Sequence, residues 1–480
     1  MRISKKFSLD KSQFELDFID IDVDKDTPLF IDPYFLSIRK DRWSVDASRT
    51  LKSFFETFIQ LIRRGKDDDA RMLFSFLHEP NETRLGLSRG KPRGNGMGDG
   101  DADNLFYSIK TSKAINSGLV EDLEDFKFFI PGIGKDKISD MSTNIIRRHL
   151  LDYTKQQCIL WGIPLTKNIN VGYWWDKKTK KWVTDYDESL VVNGKLTLLV
   201  PKGIASFCKH TTSDKYYNKF VLEFLQNEHL KMNSIFVKHR EDGSPYVTKK
   251  DLKEKVVVTY SKEYLLEFSE KHPDVFKDYK DWIKKYTISI DNEEIDENLN
   301  RVQIVDYLIE KLSIVSPGPE KASEYHRLTV GILELLLYPN ISAPSVEHEV
   351  NSGRKRIDIL FENSAENGFF YNLHMIHKLS CPYIFVECKN YKNDVKNPEL
   401  DQLSGRFSPN KGKFGMLLCR EINNNELFLN RCSDTLKDDR GLIIPITDSD
   451  LIASLKKYKV GEQKHLEEIL SKKMKKITFK

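Results

Sequence analysis

Three apolar runs in the last third of the chain limit its fold more than any other feature. They are "YIFVECK" (383–389), "KFGMLLCR" (413–420) and "GLIIPI" (441–446). A strand that is hydrophobic on both of its alternating faces is stable only in a sheet covered on both sides. Before them lie the apolar helical stretch "EYHRLTVGILELLLY" and two further strand patterns, "SVEHEV" and "KRIDILF", joined by the turn "NSGR". Between the third and fourth strands "PELDQLSGRF" reads as a short helix opened by Pro398, and a last helix begins near Ser449. The predicted order is α-β-β-β-α-β: an α/β core with a mixed central sheet flanked by helices, in a multidomain α+β chain.

The first of these runs ends in two charges. Successive strand side chains alternate, so Glu387 and Lys389 share one face and Cys388 takes the other. An unpaired ion is costly to desolvate, so these groups either pair with each other or receive something else. Asp358, in "RIDIL", is a second acid inside an apolar strand. Two carboxylates converging at strand ends suit Mg²⁺, a hard cation that takes oxygen ligands and offsets their mutual repulsion. A lysine beside that metal stabilises the negative charge of a phosphoryl transition state, or helps a bound water lose its proton. The triplet alone carries little weight, since Asp176-Lys177-Lys178 and Asp278-Tyr279-Lys280 also fit D-x-K. The apolar run and the upstream hairpin acid set Glu387 apart. The competing reading is a strand-end ion pair in an inactive sheet.

Taken together, Asp358, Glu387 and Lys389 resemble the motif of the PD-(D/E)xK, or restriction endonuclease-like, nuclease superfamily. The resemblance covers the last third of the chain and departs from the name motif at Ile357, where the family often has Pro. It implies a nuclease core in which Asp358 and Glu387 are metal ligands and Lys389 is catalytic. It also implies a glutamate from the first helix, Glu324 or, failing that, Glu334, and a supporting Gln402 from the helix after the third strand. The implied activity is that of a Mg²⁺-dependent endonuclease, with Mn²⁺ as substitute, cutting double-stranded DNA in a bacterial restriction or anti-phage defence system. A repair or recombination nuclease, or an inactive nucleic-acid-binding scaffold of the same fold, is the alternative. A single site cuts one strand, so a homo-oligomer is expected, with a separately encoded partner subunit as a further option.

The formal net charge of +4 is nearly balanced, so nucleic-acid affinity has to come from local patches. Arg354, Lys355 and Arg356 at the hairpin tip suit phosphate contact. So do Arg89, Lys91 and Arg93 in "LGLSRGKPRGNGMGDGDAD", which carries six glycines and reads either as a phosphate-wrapping loop or as a connection. Its "GLSRGKP" is one residue short of a nucleotide-binding phosphate loop and has Pro92 where Ser or Thr would bind magnesium. Glu347 and Glu349 share a strand face, as an extra carboxylate or as a solvated edge. Tyr173, Trp174, Trp175 and Trp182 suit base stacking or cross-strand core packing.

Length and pattern predict a helix-rich domain at 1–165 containing the glycine-rich loop, and an α+β accessory domain at 166–298 that serves recognition. A linker helix at 299–319 and the nuclease domain at 320–480 follow. No window approaches about 18 uninterrupted apolar residues, and the opening "MRISKKFSLDKSQFELDFIDID" turns acidic where a signal peptide turns apolar. A cytoplasmic protein with no membrane partner is expected. Six cysteines without a C-x-x-C pair predict reduced thiols rather than zinc or disulfides.

Overall fold

The computed structural model describes residues 1–86, 99–209, 211–257, 260–286, 289–296, 300–347 and 358–479. The basic triplets Arg89, Lys91, Arg93 and Arg354, Lys355, Arg356 lie outside the described residues. In the first half, helix α1 (Arg42–Arg63) is opened by Asp41, whose side chain accepts from the Ser44 amide at 2.9 Å. It buries Leu51, Phe54, Phe55 and Phe58 along one face. Helices α2 (Lys135–Ile145) and α3 (Arg147–Trp161) follow, and α3 stops at Gly162, which adopts the left-handed φ of 73° that a helix end favours in glycine. Strands β1 (Thr166–Asp176) and β2 (Lys181–Ser189) form an antiparallel hairpin. Its rings are used in packing. Trp175 meets Phe54 edge-on at 5.2 Å, and Trp182 packs on Phe54 and Phe76 while its indole N–H donates to the Leu73 carbonyl.

The second half opens with α4 (Arg301–Ile314) and α5 (Ala322–Leu337). Strands β3 (Ile341–Glu347), β4 (Asp358–Asn363), β5 (Tyr383–Lys389), β6 (Phe414–Cys419) and β7 (Leu442–Thr447) then form one sheet in the order β7-β6-β5-β4-β3. The pairs β3/β4 and β4/β5 are antiparallel, and β5/β6 and β6/β7 are parallel. Helix α6 (Asn397–Ser404) connects β5 to β6, and α7 (Asn425–Lys437) connects β6 to β7. Helices α8 (Asp448–Lys459) and α9 (His465–Thr478) close the chain. Strand β6 is buried at every position, as its two-sided apolar pattern requires. Among the described residues all six cysteines are free thiols, five of them buried, and no helix is long and apolar enough to cross a membrane.

Packing does not divide the chain at 165 and 298. One hydrophobic core joins residues from 3–29, 153–163 and 190–205 to α4, α5 and the five-stranded sheet. The other gathers residues from 31–151 with 171–283. The N-terminal segment is therefore part of the sheet's own core, because its apolar residues Phe14, Leu16, Phe18, Ile19 and Ile21 are fully buried there.

The free edge of the sheet is also covered. Backbone groups of β3, which would otherwise be unpaired, are met from α3: Gln157 donates to the Pro344 carbonyl at 3.0 Å, and Gln156 accepts from the Val346 amide at 3.2 Å. Arg39 donates to Ser342 and Ser364 at 3.2 and 2.9 Å, tying the start of β3 to the end of β4. Glu362 on β4 accepts from the Trp43 amide at 2.9 Å, and burial together with Asp41 pushes its carboxyl up to about 7. A raised folded-state pKa means that the stability linked to this group is full below its ordinary value of 4.5 and is lost as pH rises through about 7. Glu362→Gln keeps the acceptor and removes the ionisation. Its melting temperature is expected to match wild type near pH 4.5 and exceed it at pH 8, and a pH series of thermal melts checks this.

Candidate active site

The site is built at the carboxyl end of β5. Phe385, Glu387 and Lys389 lie on the face covered by α6 and the residues after it, while Cys388 lies on the α5 face, 3.3 Å from the Thr329 hydroxyl. Glu387 is 2% and Lys389 4% exposed, so both charges are held inside the protein. That is tolerable only with close compensation. One Glu387 oxygen pairs with the Lys389 ammonium, and Oε2 pairs with Nη1 of Arg406 at 2.8 Å. Lys389 Nζ also donates to Gln402 Oε1 at 3.1 Å.

Each partner is positioned by local sequence. The end of β5 is fastened by Asn390, whose side-chain amide donates to the carbonyls of Ser316 and Gly318 at 3.0 and 2.9 Å, while its own carbonyl accepts from the Gly318 amide at 2.8 Å. Helix α6 starts with Pro398 in its first turn, and the Glu399 carboxylate accepts from the Lys396 amide at 2.8 Å. With Leu400 and Leu403 buried, Gln402 is turned to Lys389. Arg406 follows two residues after the helix. It is fixed by Phe407, whose ring meets Phe385 edge-on at 5.3 Å. Gly415 makes room for that ring, since a Cβ there would stand 3.1 Å from it.

The strand register brings the acids to one level. Ile359 pairs with Val386 and Leu360 with Phe385, so one step further residue 358 stands opposite Glu387. Asp358 itself pairs with Glu347 on β3. Residues directly opposite across an antiparallel pair occupy the same face, about 5 Å apart. The backbone positions of Glu347, Asp358 and Glu387 thus fall in one line across three adjacent strands, with Leu417 of β6 next.

Glu324 and Glu334 stand apart from this group. Glu324 is 47% exposed in the first turn of α5 and pairs with Lys321 at 2.7 Å; among the described contacts it reaches neither Glu387, Lys389 nor Gln402. Glu334 is fully buried 3.7 Å from the equally buried Lys202, in the contact between α5 and the N-terminal half. Burial, with Asp17 nearby, pushes the Glu334 carboxyl well up, and burial pushes the Lys202 ammonium down. This acid belongs to the core, not to a site open to substrate. Arg406 was not identified by sequence reasoning. The available signal was "GRF", in which an arginine precedes a phenylalanine that has to be buried after a short amphipathic helix.

By residue type, the acids at these backbone positions carry the oxygen donors that a hard divalent cation takes. Among the described residues no group of three or more His, Cys, Asp or Glu side chains gathers as a metal site. Asp358 and Glu387 are the residues that would hold such an ion.

Comparison with known proteins bears on the other end of the chain. Residues 8–213 match the model of a family described as a domain of unknown function, DUF8370. The matched segment runs across residue 165 and contains the aromatic hairpin; it ends before the five-stranded sheet. No curated protein and no solved structure matches the chain.

Proposed function

We propose that the protein is a Mg²⁺-dependent nuclease that hydrolyses phosphodiester bonds of DNA and serves bacterial restriction or anti-phage defence. The observation that supports this reading best is the register of β4 on β5, in which Ile359 pairs with Val386 one residue short of Asp358 and Glu387, together with the hold of Gln402 on Lys389. When bound, Mg²⁺ supplies positive charge to the phosphoryl oxygens and acidity to water. Glu387 and Asp358 would hold the ion, and Lys389 Nζ would donate to the phosphoryl oxygen on which negative charge develops. Gln402 keeps the ammonium aimed. The Asn390 contacts keep the strand end from fraying, so this geometry exists before substrate arrives.

One observation favours a second reading. Both oxygens of Glu387 already carry ion pairs, as they would in an inactive scaffold that keeps the fold for binding. Supercoiled plasmid incubated with the protein in Mg²⁺ or in EDTA separates the two: nicked or linear product in Mg²⁺ alone supports the nuclease, and intact plasmid in both supports the scaffold. Single-stranded DNA and RNA in parallel lanes assign the substrate. Double-strand breaks from a single-site chain require two copies, so a homodimer is expected by sedimentation.

A further inference from the structure

Arg406 occupies a place that the nuclease reading leaves without a role. Its side chain is 13% exposed, more open than the 2% of Glu387 and the 4% of Lys389, and it caps the carboxylate from the side of the loop after α6. Its backbone is rigid: Phe407 is wedged against Phe385 and over Gly415, and the residue before Arg406, Gly405, donates its amide to the Asp401 carbonyl at 2.9 Å. A guanidinium on a fixed stem, paired with Glu387 and more exposed than it, faces two competing anions when substrate is present. One is Glu387 and the other is a phosphodiester. Guanidinium matches the two nonbridging oxygens of a phosphate with two parallel N–H groups, which a single ammonium does not.

We propose that Arg406 is the phosphate-binding residue of this site, held on Glu387 in the metal-free protein and turned to a nonbridging phosphate oxygen once Glu387 ligates a divalent cation. The proposal rests on the nuclease reading. It gives the site an order of events, because an arginine engaged with Glu387 competes with metal for the same carboxylate. The Glu387 carboxylate is thus neutralised from within, and one of the two groups that neutralise it becomes the substrate contact.

The test is a calorimetric titration of Mn²⁺ into the full chain, paired with single-turnover plasmid cleavage at saturating metal. Arg406→Gln is expected to bind Mn²⁺ about tenfold tighter than wild type, the order of effect that one opposite charge has on a neighbouring carboxylate. Its maximal cleavage rate is expected to fall about 10²-fold, the size of losing one transition-state donor. Arg406→Lys keeps the charge, so Mn²⁺ affinity stays at the wild-type level and part of the rate returns. Unchanged or weaker Mn²⁺ binding in Arg406→Gln overturns the competition with metal, and a wild-type rate overturns the phosphate contact. If Arg406→Gln does not fold, as read by circular dichroism, Arg406→Lys decides, and a full wild-type rate there counts against the proposal. A wild-type protein that takes up no Mn²⁺ removes the nuclease reading and this proposal together. Uptake by wild type with no difference in Arg406→Gln removes the proposal alone.

Discussion

Glu387→Gln is expected to lower Mg²⁺-dependent cleavage by about 10³-fold or more, beyond what a single transition-state donor contributes, because it removes a ligand and not merely a contact. Asp358→Asn is expected to do the same. The isosteric amide is the informative change at 387. Glu387→Ala would leave Lys389 and Arg406 as buried cations without their shared counter-charge, and breaking such a group costs about 3–5 kcal/mol in stability. Glu387→Gln removes the same charge but keeps the shape and one acceptor oxygen, so thermal melts should show both variants destabilised, Glu387→Ala the more. Mn²⁺ is expected to replace Mg²⁺, and Ca²⁺ to support DNA binding with little turnover. Cleavage at the wild-type rate in either isosteric variant would remove that residue from the reaction.

Lys389→Ala moves a different quantity. A protonated lysine has no capacity as a metal ligand, so Mn²⁺ and DNA affinity should stay within a few fold of wild type while the rate at saturating substrate falls about 10²-fold. Lys389→Arg is not a conservative rescue here, since a planar guanidinium presents its donors in a fixed fork, unlike the single ammonium that meets both Glu387 and Gln402. Single-turnover rates measured beside equilibrium binding give the split. A Lys389→Ala protein that binds DNA poorly but cleaves normally when saturated would mean that this lysine holds substrate and does not act in the chemical step.

Much of the C-terminal third can be read directly from local pattern. The apolar runs at 383–389 and 413–420 contain β5 and β6, and the run at 441–446 covers all of β7 but its last residue, because a strand buried on both faces needs apolar side chains at nearly every position. Period-two alternation alone puts Glu387 and Lys389 on one face and Cys388 on the other. Pro398 marks the first turn of α6 for an equally local reason: its fixed φ and missing N–H are harmless only there. Tertiary structure alone brought Arg406 onto Glu387 across 19 residues, and tied Arg39 to the β3–β4 edge across more than 300. It also placed residues 3–29 in the core of the sheet and removed Glu334 from any open site by closing Lys202 over it. The reason for this division is physical. Side-chain alternation and capping act within a few residues and leave a periodic trace in the sequence, whereas the partner of a buried charge is chosen by the packing of distant elements that exclude water together.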